Sequence, residues 1–290
     1  MSFLSAPYFH DEAAAFAELE ATLWPNGPVC PRCGGTERIT AVKGGRMGLR
    51  RCGPCKRQFT VTVGTVFESS HVPLHQWLQA VYLLCSSKKG ISSHQLMRTL
   101  DVQYKTAWFM THRIREAMAS GKLPPIGGEG AVVEVDETFI GQKKDVPKQR
   151  GYAHKHAVLT LVERGGSARS FHVEGTSAAD LLTIIKANVA RDTYVMTDEA
   201  GQYASLGKHF TGHEFVSHGK GEYVRVDVHT NTLESFYSVF KRGMKGVYQH
   251  CSEKHLHRYV AEFDFRYNNR IKLGVNDIQS RSGKRLRDGR

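Results

Sequence analysis

The sequence predicts an α/β protein in which a small metal-stapled module and a helical segment precede the α/β layers. Three observations carry this. Two C-x2-C pairs stand near the N-terminal end, a long stretch of helical periodicity follows them, and past residue 129 strand-length apolar runs alternate with helical ones. Composition agrees: 290 residues, 40% hydrophobic and 23% charged, form a globular chain rather than a disordered one. The length suits two or three domains.

The elements follow in order. Asp11–Trp24 reads as a short helix, with Phe16, Leu19 and Leu23 on one face and Pro25-Asn26-Gly27 as its stop. A cysteine-rich segment runs from Cys30 to about Val63. Residues 74–119 are helical, broken near Lys88-Lys89-Gly90 and again around Asp101. Pro124-Pro125-Ile126-Gly127-Gly128 reads as a linker and a domain boundary. Beyond it, Ala131–Val135 is an apolar strand ending in Asp136, and Ala157–Val162 and Ser170–Val173 are two more, with a Gly165-Gly166 turn between them. Ala178–Ala190 is a helix with Leu181, Ile184, Ile185 and Val189 on one face. Thr193–Thr197 is a strand ending in Asp198, and Asn231–Met244 and Ser252–Asn268 are the last helices. The expected domains are 11–63 (helix and cysteine module), 74–123 (helical), 129–272 (α/β) and a basic tail, 273–290.

Forty Lys and Arg against 28 Asp and Glu leave a net charge of +12, which points to a polyanionic partner, usually nucleic acid. The longest strongly apolar run, around Trp77–Cys85, is far short of the roughly 20 residues of a membrane span. The N-terminus carries His10, Asp11 and Glu12 where a secretory signal needs an apolar core. The expectation is a cytoplasmic protein with no membrane partner, in which six cysteines favour metal over disulfides.

Cys30-Pro-Arg-Cys33 and Cys52-Gly-Pro-Cys55 each present two thiolates, and the segment between them is long enough for a hairpin that unites the pairs. Four sulfur ligands suit a tetrahedral zinc with no open position, hence a structural site. Arg50, Arg51, Lys56 and Arg57 lie around the second pair and are candidate DNA-phosphate contacts; a solvated basic face is the plainer alternative. Cys85 and Cys251 read as apolar or incidental thiols. Ile91–Leu100, a turn at Asp101–Tyr104 and a helix from Lys105 to Ala119 have the arrangement of a helix-turn-helix, with Lys105, Arg113 and Arg115 as cations and Trp108, Phe109 and Ile114 as core. A packing-only helical hairpin has the same pattern.

Asp136 and Asp198, each at a strand end, can face one cleft while the strands hold them rigid. Glu234 opens the following helix, and Lys241, seven positions on, points the same way. Three carboxylates of this kind can hold two divalent ions, magnesium or manganese by their oxygen ligands, for phosphodiester chemistry. Asn231 to Glu234 also has the spacing of a capping box, with Asn231 as N-cap, which would account for both residues without catalysis.

At this point the residues resemble a known family, the bacterial insertion-sequence transposases that join an N-terminal zinc ribbon to an RNase H-like DDE (integrase-type) domain. The strings that carry the resemblance are RCGPCKRQFTVTVGTVFE, ISSHQLMRTLDVQYKTAWFMTHRIREAM, VEVDETFIG, VMTDEAGQY, GEYVRVDVHTNTLESFYSVFKRGMKGVYQH and HLHRYVAEFDFRYNNR, and together they run through most of the chain. The resemblance implies an enzyme that cuts DNA at the ends of its own element and joins the freed 3′-hydroxyls to target DNA. Asp136 and Asp198 match the two catalytic aspartates. The third position falls to Glu234, with Asn231 as the alternative, and Lys241 matches a basic position near the cleaved end. Lys143 and Lys144, after the first aspartate, and Arg242, beside Lys241, are further DNA contacts. Zinc would be structural, and two Mg2+ or Mn2+ ions catalytic. At least two protomers would assemble on DNA, in the cytoplasm at the nucleoid. His229 is either a DNA contact or a surface histidine. The rivals are a DNA-binding regulator with an inactive α/β domain, and a nuclease or resolvase that cleaves without joining.

Overall fold

The protein is described by a computed structural model, which covers residues 3–119, 121, 123–222, 224–270 and 273. The predicted basic tail, apart from Leu273, lies outside the described residues. The chain divides into two compact units: the first takes in residues up to 87 and 91–118, the second 88–90 and everything described from Ala119 onward.

In the first unit, α1 (Glu12–Leu23) starts at Asp11, whose carboxylate accepts from Ala14 N at 2.7 Å, and buries Ala15, Leu19 and Leu23. Three short antiparallel strands follow, β1 (Ile39–Ala41), β2 (Arg50–Cys52) and β3 (Gln58–Phe59), in the order β1-β2-β3. Their small core is Cys30, Cys52 and Phe59, with Trp24 edge-on to Phe59 at 5.9 Å. The helical segment is α2 (Leu74–Ser86), α3 (Ser93–Leu100) and α4 (Tyr104–Met118). Helix α3 is capped by Ser92, and Asp101 closes it in the left-handed conformation, φ 50°, which makes the tight turn into α4. Phe109 is a correction to the sequence expectation: it is 49% exposed, while Ile114 is buried and so is Arg115.

The second unit is a five-stranded mixed sheet in the order β6-β5-β4-β7-β8, formed by β4 (Val132–Ile140), β5 (His156–Glu163), β6 (Ala168–Val173), β7 (Tyr194–Asp198) and β8 (Gly212–Val216). Strands β4, β5 and β6 form an antiparallel meander, while β7 and β8 run parallel to β4. Strand β4 does not end at Asp136 as the apolar run suggested. It stays paired with β5 out to Ile140↔His156, so the backbone ladder carries it through a polar stretch. Strand β8 and the small β9 (Val224–Arg225)–β10 (Val228–His229) ladder were not expected from the sequence. Edge strand β8 exposes Glu214 and Phe215 and carries little apolar signal.

Strand alternation sends Val133 and Val135 of β4 to one face, where they pack with Leu159, Leu161 and Val195 against Leu181 and Ile185 of α5 (Ala178–Asn188). The opposite face, with Val158 and Val162, is covered by Leu233, Phe236, Tyr237 and Phe240 of α6 (Asn231–Gly243) and by Leu256, Val260 and Phe263 of α7 (Glu253–Asn268). The sheet thus lies between α5 and the α6–α7 pair. The 124–128 stretch is fastened within this unit: Ile126 N donates to Asn188 O at 2.8 Å, Ile126 O accepts from Ala190 N at 2.9 Å, and Gly128 N donates to Thr193 Oγ1.

Candidate active site and metal centre

Asp136 and Asp198 come together through the parallel pairing of β4 with β7. The last registered pair is Glu134↔Met196, and each aspartate lies two residues beyond it on its strand. Pleating therefore turns both to the α6 side of the sheet, where β4 and β7 part. Below them β4 buries Glu134 on the same side.

Asp136 is half-buried, and its carboxyl is pushed up to about 8, by burial first and then by the negative charges of Asp198 and Glu137; Lys241 and the Glu137 amide pull it down. The Tyr237 hydroxyl donates to Asp136 O at 2.6 Å, fixing the strand from α6, and the Lys241 ammonium lies 5.7 Å from the Tyr237 ring centre. Glu137 points to the other side, accepts from Gln202 Nε2 and the Tyr203 hydroxyl, and is itself raised, chiefly by burial.

Helix α6 does not start with the capping box that its sequence allows. Thr230 is the N-cap and makes no side-chain cap, Asn231 is the first helical residue, and Leu233 N donates to Glu134 Oε2 at 2.9 Å. Glu134, fully buried, also accepts from Arg164 Nε at 2.7 Å and has His229 Nδ1 at 3.3 Å. A carboxylate from another strand thus caps the helix, which leaves Asn231 and Glu234 exposed. Glu234 Oε1 accepts from Thr230 Oγ1 at 3.3 Å. His229 is half-buried in this network, its Nδ1 beside Arg164 and Glu134. Asp136, Asp198 and Glu234 do not close to a mutual spacing of 4.8 Å. Among the described residues, two other groups do: the four cysteines, and His156, His172 and Glu253.

The cysteines fit a zinc ion. Cys30 and Cys55 sulfurs are 3.7 Å apart, as are those of Cys33 and Cys52. A tetrahedron of Zn–S bonds of about 2.3 Å has edges of about 3.8 Å, whereas a disulfide would need about 2.05 Å. The knuckles are set by backbone bonds, Gly34 N to Cys30 O and Cys52 N to Arg57 O, both 2.9 Å.

The candidate DNA contacts divide into two groups. Arg50 is committed inside its unit, paired with Glu20 through two hydrogen bonds and lying 5.5 Å over Trp24. Arg113 donates to Glu68 O and lies over Phe109 and Trp77. Arg242 is exposed but bonds back to Ser238 within α6. Arg51, Lys56, Arg57, Lys105, Lys144 and Lys241 are exposed, and Lys143 partly so. The loop bearing Lys143 and Lys144 also displays Tyr152, 57% exposed, stacked on Phe139 at 4.5 Å and capped by Lys155. Sequence reading passed over Tyr152, Glu134, Arg164 and Glu137, and only VEVDE, with two acids flanking Asp136, gave a local hint of any of them.

Known proteins resemble this chain over most of its length. The profile of the ISXO2-like transposase domain matches residues 127–268, and that of the transposase zinc-ribbon domain residues 10–58. A Halobacterium salinarum protein, described as an uncharacterized protein in transposable element ISH50, is 32% identical over 277 residues, which are 89% of this chain and 91% of that protein. A cryo-EM structure of the simian T-cell lymphotropic virus intasome in complex with PP2A regulatory subunit B56 gamma aligns with 59% of this chain and 63% of its own, at 13% identity and a TM-score of 0.30, too distant a likeness to carry an argument.

Proposed function

The chain belongs to the insertion-sequence transposases that carry an N-terminal zinc ribbon and an ISXO2-like transposase domain, and from that premise we propose the chemistry it performs. It cleaves DNA at the ends of its own element and joins the freed 3′-hydroxyls to target DNA. Asp136, Asp198 and Glu234 hold divalent Mg2+ or Mn2+, and Asn231 is the alternative to Glu234. The observation that carries this reading is the parallel β4–β7 pairing that sets Asp136 and Asp198 side by side on the α6 side of the sheet, where burial and the Asp198 charge raise the Asp136 carboxyl. Asp136 and Asp198 repel one another there, and an oxygen-seeking divalent ion beside them would let both ionise.

Two such ions, when bound, activate the attacking oxygen and stabilise the leaving one in an in-line displacement. The chain's own residues do the rest. Asp136 gives up its proton as the site loads, and Tyr237 holds the Asp136 backbone in place. Lys241, on the exposed side of α6, is suited to a DNA phosphate beside the cleaved bond. Hydrolysis and strand joining are the same displacement with water or a 3′-hydroxyl as nucleophile, so one site serves both. An RNase H-like reading of the second unit is supported by its strand order, an antiparallel meander followed by two parallel strands, with helices on both faces. Cutting two element ends calls for at least two protomers assembled on DNA.

The test uses the full chain, a duplex carrying the DNA that flanks its gene, a target plasmid and Mg2+ or Mn2+. End cleavage and joining that vanish in Asp136→Ala are expected. Cleavage without joining would make the protein a nuclease, and DNA binding with neither product would make it a regulator.

A further inference from the structure

His156 opens β5, His172 lies one residue before the end of β6, and Glu253 is the first residue of α7. In the β5–β6 ladder Val158 faces His172, so His156 and His172 are diagonal neighbours on the side of the sheet that α7 covers. Their rings stand 5.6 Å apart, nearly perpendicular. His156 Nδ1 is 3.6 Å from Glu253 Oε1, and His172 Nε2 is 4.0 Å from the same oxygen. One ligand atom from each of the three residues lies within 4.8 Å of the others.

Two plainer accounts fall short of this arrangement. A glutamate in the first turn of α7 is favourable to the helix dipole, but that needs no histidines. An ion pair between Glu253 and a protonated imidazole would close to hydrogen-bond distance, and neither separation does. His156 is 4% exposed, and its Nδ1 makes no hydrogen bond among the described residues. A buried ring nitrogen left without a partner, aimed at a carboxylate oxygen and a second imidazole, calls for something between them. Tetrahedral zinc with nitrogen and oxygen ligands at about 2.0–2.2 Å sets neighbouring ligand atoms about 3.4 Å apart, so both separations need contract by less than about 1 Å.

We infer that His156, His172 and Glu253 form a second metal site, for a divalent ion of the zinc type, that fastens the start of α7 to β5 and β6 and leaves a fourth position for water. Two imidazoles and a carboxylate are a recurrent zinc donor set, unlike the all-sulfur set of the ribbon or an all-oxygen set. The His172 imidazole is held below its ordinary range by burial and by His156 and His257, against the pull of Glu253 and Glu174. His257 and Glu174 are exposed beside the cluster.

The test uses the full-length chain carrying Asp136→Asn, so that the acidic cleft is impaired, equilibrated with Zn2+ and freed of excess metal. The expected content is two zinc per chain, falling to one in His172→Gln and in Glu253→Gln, with at least about tenfold weaker binding of the second equivalent. Cobalt substitution reads the sites apart: the intense thiolate-to-cobalt absorption of the ribbon stays unchanged in both variants. The second equivalent of zinc is expected to raise the Tm of the parent and not that of either variant. Glu253 is half-exposed, so its variant keeps the test open should a histidine variant fail to fold. One zinc per chain in the parent, or a second equivalent held equally well by both variants, would overturn the site.

Discussion

At the scale of single residues, Asp136 carries the largest carboxylate shift at the sheet end it shares with Asp198. Its ordinary value is 3.8 and the folded chain raises it to about 8, so between those limits the folded state holds a proton that the unfolded chain has released. Stability of the ion-free protein therefore falls as pH rises from about 4 to about 8. Glu137, raised by burial, adds to the same trend. Asp136→Asn should flatten the profile and raise Tm at pH 8 in chelator, while metal-dependent cleavage drops by more than about a hundredfold. Thermal melts across pH check the first part; an unchanged profile would contradict the crowding. Glu234 and Asn231 are both exposed in the first turn of α6, and a pair of alanine variants separates them. Glu234→Ala should abolish cleavage with Mg2+, whereas Asn231→Ala should weaken it less than tenfold by the local magnitude of one lost contact. The reverse ranking would move the third position to Asn231.

Elements depend on groups supplied from far along the chain. Helix α2 begins after Pro73, which offers no side-chain cap; Glu12 accepts from Leu74 N at 2.8 Å and His75 N at 3.1 Å. Helix α6 has the same device in Glu134. Because Glu134 is fully buried beside Arg164, Arg164→Ala should cost about 3 kcal/mol in urea unfolding by stranding the charge, and Glu134→Gln in that background should recover part of it. Additive losses would show the pair to be uncoupled. The buried core of the ribbon is three residues, too few to hold strands of two and three residues alone, so the ribbon is expected to depend on the ion its four sulfurs fit. Cys52→Ser should lower zinc content and open residues 30–59 to amide exchange, leaving the β4–β8 sheet protected. Helix periodicity was legible because α2, α3 and α4 each bury a face of their own. Neither the distant caps nor β8 was, since both depend on partners many residues away.

For the whole molecule the informative quantity is the net charge of +12. If DNA is the partner and the exposed cations meet six to ten phosphates, affinity should fall by about a thousandfold or more between 50 and 200 mM salt. A titration with little salt dependence would contradict a phosphate-tracking surface. The second unit buries two separate apolar layers, so its stability should survive removal of zinc from the ribbon.

The cysteine spacing, the helical periods and the apolar strands are local patterns, and the residues themselves determined them: a C-x2-C knuckle or an amphipathic turn needs only near neighbours. Asp136 and Asp198 were legible for the same reason, as acids at the end of apolar runs. What the tertiary structure decided is everything that depends on register and on which strands adjoin. It carried β4 past Asp136, brought the two aspartates onto the α6 side, and gave the cap of α6 to Glu134 instead of the capping box written in its own first turn. The physical reason is that a buried carboxylate and an open helix end each cost free energy alone, and pairing them across the sheet removes both costs, which no local spacing can reveal.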